Sequence, residues 1–316
     1  MFIKFQKQKT KKQIMKTKFR LLRWLMMLIL SVSTLGLWAQ NQNPTQTVCL
    51  GTQTYSVDPV AGATFVWGIS AGGTITSGNG TQNITIDWTI AGGPYTVSVY
   101  SYKVIGCPSI TQSVSVTVVS QPTGPTLNVK TPNLASVCDG TNVSATFIAG
   151  SGGVGCSDAF QYRFDGVGLW TAYTPGNSLS TTGHTLVDIQ GQRSGCASGA
   201  GCTGTSWVTL ASWTVNPNLP VSVTIVADNN PVCAGTSVTY TATPVNGGAN
   251  PVFAWYVNGA VQISTSATFV YVPVDTDQVY AMLTSNATCA TGSPATSNTL
   301  TMTVNTTTSI SSIWHY

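Results

Sequence analysis

The pentapeptide Val48-Cys49-Leu50-Gly51-Thr52 returns as Val137-Cys138-Asp139-Gly140-Thr141 and again as Val232-Cys233-Ala234-Gly235-Thr236, at offsets of 89 and 95 positions. Solenoid units repeat at roughly 20 to 50 residues, so this interval is too wide for one and matches the length of a β-sandwich. Each copy has enough chain to close a core of its own. Two short polar stretches containing proline, 120–125 and 216–220, separate the copies. The expected organisation is an export signal over 1–39, a first module over 40–120, a divergent second module with four cysteines over 121–217, a third over 218–305, and a tail over 306–316. Proline biases the two connections towards extended backbone, which predicts stiff spacing and an elongated array.

Inside the copies the apolar residues alternate. Phe65, Trp67 and Ile69 do so, as do Ile84, Ile86 and Trp88, then Val114, Val116 and Val118; the third copy repeats the scheme with Val238, Tyr240 and Ala242, then Phe253, Trp255 and Val257. A period of two marks strands with one buried face. Turn signals such as Ala71-Gly72-Gly73 and Ser77-Gly78-Asn79-Gly80 punctuate them, and no apolar stripe of helical period follows Gln40. The fold class is therefore all-β, as tandem antiparallel β-sandwiches rather than βαβ units.

Charge is sparse and uneven. Only 7% of the chain is charged, and its nine acids are all Asp, so few groups are available for acid/base or metal chemistry. Nine of the thirteen Lys and Arg lie between Lys4 and Arg23, ahead of an apolar run from Trp24 to Leu30 and the small-residue end Leu37-Trp38-Ala39. That order is a secretory signal cleaved after Ala39, with Met15 as an alternative start; its apolar core is too short to span a bilayer, so no transmembrane segment is expected once it is removed. The basic residues leave with the signal, which argues against nucleic acid as a partner.

Eight cysteines behind a signal point to an oxidising compartment and to disulfides. Cys49 and Cys107 stand the same distance apart in sequence as Cys138 and Cys196, and Cys233 and Cys289 are only two positions closer. These matched spacings predict one clasp inside each module, with Cys156 and Cys202 pairing inside the second. Zinc on the four cysteines of the second module is the rival, disfavoured because no Cys-x-x-Cys is present.

The three Val-Cys-x-Gly-Thr starts, Thr64-Phe65-Val66-Trp67 followed by Gly72-Gly73-Thr74-Ile75, and Gly106-Cys107-Pro108-Ser109 resemble the PKD-like and immunoglobulin-like modules strung along secreted or surface proteins of Bacteroidota, including gliding-associated adhesins and type IX secretion cargo. Tyr162-Arg163-Phe164-Asp165-Gly166, Tyr173-Thr174-Pro175-Gly176 and Arg193-Ser194-Gly195-Cys196 are similar to a second repeat type of such proteins. The resemblance implies folding positions and no catalytic residues.

Two motifs look chemical. Gly68-Ile69-Ser70-Ala71-Gly72 has the Gly-x-Ser-x-Gly form of a nucleophile elbow, but a strand and turn are expected there instead of a helix, and His184 lies a module away. Gly150-Ser151-Gly152-Gly153-Val154-Gly155 has the form of a dinucleotide loop, yet Phe160, Tyr162 and Phe164 follow at strand period. Asp228, Asn229, Asn230, Asp275 and Asp277 are read as turn residues before calcium ligands, and Asp277 with Tyr280 as a tyrosine corner. Trp170, Tyr173 and Trp207 form the candidate aromatic platform for sugar stacking, while Trp213 is expected in the core. The reading is a non-enzymatic secreted or cell-surface protein, an adhesin, stalk or scaffold segment. It needs no cofactor and no metal, and its partner is an extracellular protein or polysaccharide. The alternative is a carbohydrate-binding array centred on the second module; a hydrolase using Ser70 and His184 is a more distant third.

Overall fold

Alternating sequence becomes sheets with one wet face and one dry face. In the strand Ala63–Ile69 the side chains of Phe65 and Trp67 are buried and Thr64 is exposed; in Asn83–Trp88 the buried set is Ile84, Ile86 and Trp88. The structure, a computed structural model, describes residues 45–306 together with 313 and 314; the expected signal and nearly all of the expected tail lie outside the described residues. No α-helix occurs among the described residues, and none of their segments is a helix long and apolar enough to cross a membrane.

The chain folds as two compact units. The first holds the described residues up to Pro125 with Ala149–Asp158 and Gln192–Ser206; the second holds Thr126–Ile148, Ala159–Gly191 and the described residues from Trp207 onward. In the first unit a four-stranded sheet runs in the order Thr45–Cys49, Gln112–Val119, Gly92–Lys103, Ala63–Ile69. It shares a core with a three-stranded sheet of Gly51–Ser56, Asn83–Trp88 and Gly73–Ser77. Trp88 is almost wholly buried, stacks on Tyr95, and donates its indole N–H to the Tyr55 hydroxyl at 3.1 Å. Burying an indole of that size is worth on the order of 4 kcal/mol. Gly78, at φ +83°, is one position where glycine is required, because a Cβ there would collide with the Asn83 carbonyl.

The second unit contains two further hydrophobic clusters. One lies between the sheet of Leu179–Ser180, Asn142–Ile148 and Thr126–Thr131 and the sheet of Thr171–Ala172, Ser157–Phe164, Leu186–Ser194, Val208–Asn216 and Ser136–Cys138. The other cluster is built by Ser222–Ala227, Val238–Val245 and Thr268–Tyr271 against Val252–Val257, Gln278–Thr284 and their short edge partners.

Each repeated Val-Cys segment occupies the same place: it pairs in parallel with the last strand of its sandwich. Cys49 stands opposite Val119, Cys138 opposite Asn216 and Cys233 opposite Asn305. The residue after each cysteine donates its N–H to that same last strand, Leu50 to Val119, Asp139 to Asn216 and Ala234 to Asn305, all at 2.9 Å. The repeat therefore marks the end of the sandwich from which the chain leaves.

Candidate functional site

The placement of the Val-Cys segments decides the disulfides. Cys107 lies in the loop between Gly92–Lys103 and Gln112–Val119, at the start of the last strand, whereas Cys49 lies beside its end. Eight residues of strand put about 25 Å between those levels, while a disulfide cannot bridge Cα atoms more than about 7 Å apart. The clasp expected within the first module is thus geometrically excluded, and the pairing throughout is different from the one the spacings predict: Cys49 bonds Cys202, Cys138 bonds Cys289, and Cys156 bonds Cys196, with Cys107 and Cys233 left as exposed thiols. Equal spacing reflects equivalent positions in successive repeats and not bonded partners.

Around Cys49–Cys202 the first unit is closely knit. Cys49 is fully buried and donates its N–H to the Ala200 carbonyl at 2.7 Å. The Gln53 amide reaches the Cys49 carbonyl at 3.3 Å; Gln121 donates to the carbonyls of Leu50 and Gly201 and accepts the Thr203 N–H at 3.0 Å. Gly201, at φ +66°, has no room for a Cβ against the Gln53 side chain. The Cys156–Cys196 bond draws Ala149–Asp158 and Gln192–Ser206 together, and Arg193 reinforces it by pairing with Asp158 at 2.9 Å and donating to the Gly152 carbonyl. In the second unit Cys138–Cys289 is flanked by an Asn218 amide on the Asp139 carbonyl at 3.1 Å and by the Leu219 N–H on the Cys289 carbonyl at 2.8 Å.

Of the three aromatic candidates, Tyr173 is withdrawn from any platform by burial. Tyr173 is 5% exposed, accepts the Ala145 N–H at 2.9 Å, and has the Ala145 and Asn177 carbonyls in reach of its hydroxyl, so it is a core residue unavailable to a sugar ring. Trp170 lies under the Arg163 guanidinium at 4.4 Å, and Trp207 is 36% exposed. Trp213 is fully buried, with its indole N–H on the Pro132 carbonyl.

The other motifs resolve into turn chemistry. Ser70 follows the strand Ala63–Ile69, its hydroxyl accepts the Thr96 N–H at 2.9 Å, and no helix begins there. The 150–155 glycines form a loop leading into the strand Ser157–Phe164. His184 stacks on Phe164 and bonds Asp165 at 2.9 Å. The Thr185 N–H, His184 and the Thr185 hydroxyl hold the Asp165 carboxyl well below the usual carboxylate range. Asn230 brackets the last strand through the Thr301 carbonyl and the Thr303 N–H, and Asp275 accepts the Val304 N–H. Asp277 accepts from Val274, Asn258 and Tyr271, making Tyr271 its aromatic partner; Tyr280, expected in that role, stacks instead on Tyr256. Tyr271 escaped the sequence reading, although it precedes Asp277 by six residues, a separation that the turn between them closes.

Residues 39–118 match the family profile described as a PKD-like domain. No curated protein matches the chain. Among solved structures it is similar to the titin I-band fragment I67–I69, at 10% identity over 84% of this chain and 97% of that one with a TM-score of 0.40. It is also similar to the Ig1–Ig3 ectodomain of mouse nectin-like molecule 4, at 11% identity over 86% and 100% with a TM-score of 0.35. Extracellular domains 3–5 of Drosophila OTK match at 9% identity over 84% and 96%, TM-score 0.30.

Proposed function

We propose that this chain is a tension-bearing segment of an exported surface protein, a stalk or adhesin scaffold of the kind found in Bacteroidota, and that it works without catalysis. One observation carries the reading: the three disulfides lie in series. From Cys49 a bond leads to Cys202; six residues back along the chain is Cys196, bonded to Cys156; eighteen residues back from Cys156 is Cys138, bonded to Cys289. The covalent route from Cys49 to Cys289 therefore crosses twenty-four residues of backbone, six and eighteen, a tenth of the stretch that separates them in sequence. At about 3.4 Å per residue and about 5.5 Å per disulfide, that route is limited to roughly 100 Å, against about 800 Å for the reduced chain.

Force applied along the chain passes through this route and leaves most of the sandwich strands outside it. Such wiring suits a spacer that must hold its length under pull, and disulfides of this kind belong to oxidising, extracytoplasmic surroundings. The engagement of Ser70 with Thr96 and of His184 with Asp165 gives each a local structural role. Single-molecule pulling from handles beyond residues 45 and 306 tests the proposal. Oxidised protein is expected to extend between the two cysteines by no more than about 100 Å, and reduced protein to release the remaining contour in discrete steps. Oxidised protein that releases several hundred ångströms would sink the reading.

A further inference from the structure

The two bonded joints follow one rule, and the two free thiols occupy the positions that rule pairs. In each joint the cysteine of a Val-Cys segment, at the outgoing end of one repeat, bonds a cysteine that follows the last long strand but one, or the last long strand, of the following repeat: Cys49 with Cys202, after Leu186–Ser194 and before Val208–Asn216, and Cys138 with Cys289, after Gln278–Thr284 and ahead of the short strands that lead to Val304–Asn305. Cys233 is the third Val-Cys cysteine, and Cys107 is the loop cysteine of the first repeat; both are unbonded and exposed. One chain thus carries a free donor position and a free acceptor position of the same joint.

The surroundings of both thiols match that assignment. The Val232 and Ala234 N–H groups donate to Thr303 and Asn305, which turns the Cys233 N–H away from its pairing strand. That is the orientation from which the Cys49 N–H takes the carbonyl of Ala200, two residues before Cys202. The residue two before Cys107 is Ile105. It is 93% exposed, and Val104 and Ile110 on the same loop are 97% and 80% exposed, whereas Ala200 is buried at the bonded joint. At the other end Val274, 66% exposed, stands on the turn that Asp275 ties to Val304 beside Cys233. Three nearly bare aliphatic side chains around one thiol, and another beside the second, are apolar surface of the sort that contacts cover.

We propose that Cys233 of one copy and Cys107 of a second copy form a disulfide, joining chains head to tail by repeating the internal joint. The contact is heterologous and leaves a free donor and a free acceptor at the ends, so it propagates into linear polymers. The chemistry is thiol–disulfide exchange with a low-molecular-weight disulfide. The Cys233 thiolate attacks that disulfide and releases one small thiol; the Cys107 thiolate of the second copy then attacks the Cys233 sulfur and releases the other. Two protein thiols and one small disulfide become one protein disulfide and two small thiols. These bonds join chains, so polymerisation is independent of load bearing within one chain.

The test uses the full chain with its three disulfides formed, oxidised by a glutathione disulfide buffer and run without reductant. An equal mixture of 14N and 15N protein is included for peptide mass spectrometry. The expected result is a ladder in steps of one chain mass, with mixed-isotope peptides linking Cys107 to Cys233. Cys107→Ser and Cys233→Ser should each stay monomeric alone and give only a heterodimer when mixed. Both positions are exposed and outside the cores, so these variants keep the fold, and an unchanged melting temperature checks that. A ladder that survives in either variant, linked peptides dominated by Cys107–Cys107 or Cys233–Cys233, links confined to single-isotope pairs, or thiols that stay free would each overturn the proposal.

Discussion

Replacing Cys156 and Cys196 together by Ser removes the shortest of the three rings, and the wiring makes its effect calculable. With that bond gone, the shortest covalent route from Cys49 to Cys289 crosses to Cys202, follows the chain back from position 202 to position 138, and crosses from Cys138 to Cys289. The route lengthens by 40 residues, the sequence separation of the deleted pair. At about 3.4 Å per residue that adds roughly 140 Å to the maximum extension. Removing Cys138 and Cys289 instead leaves the backbone from position 202 to position 289 as the route, and removing Cys49 and Cys202 leaves the backbone from position 49 to position 138. Those two routes are nearly equal, and each is about a third longer than the route of the Cys156/Cys196 variant. Pulling experiments should therefore give one intermediate extension and two longer, closely matched ones, all above the oxidised parent. A Cys156/Cys196 variant that extends no further than the parent would refute the serial path, because in that path this bond is what shortens the stretch from Cys202 to Cys138 by 40 residues.

Asp277→Ala should cost about 3 kcal/mol in chemical denaturation, since it leaves the Val274 N–H, the Asn258 amide and the Tyr271 hydroxyl without their shared acceptor. Burial works against the Asp277 charge, but those three donors outweigh it and hold the carboxyl below its ordinary value. Its contribution is therefore complete above an unfolded-state pKa of about 3.9 and is lost as pH falls through the lower folded value; Asp277→Asn should narrow the gap to wild type on melting between pH 5 and pH 2. Tyr240 is fully buried and its hydroxyl has no hydrogen-bond partner among the described residues, with burial first and then Asp277 pushing its pKa up to about 12. Tyr240→Phe should consequently be neutral or stabilising by up to about 1 kcal/mol, whereas Tyr173→Phe, which strips an acceptor from the Ala145 N–H, should cost about 1 to 2 kcal/mol; thermal melts read both signs. Trp88→Ala should destabilise the first sandwich by about 3 to 5 kcal/mol in the same assay while leaving the maximum extension of the oxidised chain unchanged, because Trp88 lies outside the covalent route.

Much of the architecture was legible because alternation is a local signal. Phe65 and Trp67, Ile84 and Trp88, and Phe253 and Trp255 all point inward as a period of two requires, and Trp213 joins the core through the same parity. Tyr173 breaks the pattern: it sits in a Gly- and Pro-rich stretch that reads as surface, yet its hydroxyl satisfies backbone groups of Ala145 and Asn177 and draws the ring inside. The pairing of the cysteines was not legible. Sequence reports the interval between repeats, and the cysteines recur at that interval whether they bond within a repeat or to the next. Choosing between those requires knowing which end of the sandwich each thiol occupies, which follows from the parallel pairing of the Val-Cys segment with the last strand, a contact between opposite ends of the repeat's sequence.

Under the proposed tension-bearing role, that pairing also changes what the sandwiches are for. A sandwich that carries load in its own hydrogen bonds is limited by its weakest strand pair, and domain stabilities are small. Here Thr45–Cys49 against Gln112–Val119, and Ser136–Cys138 against Val208–Asn216, fix two of the cysteines that open the serial bonds. In the proposed tension-bearing role the hydrophobic cores need only hold these positions while the bonds form. After oxidation the route through Cys202, Cys196, Cys156 and Cys138 is closed by disulfides apart from its two short backbone stretches, so core-weakening substitutions should affect the yield of correctly paired protein before they affect its length under tension. Sparse charge fits that division of labour, since sheet registration rests on backbone hydrogen bonds, and the Arg193–Asp158 ion pair reinforces the shortest ring.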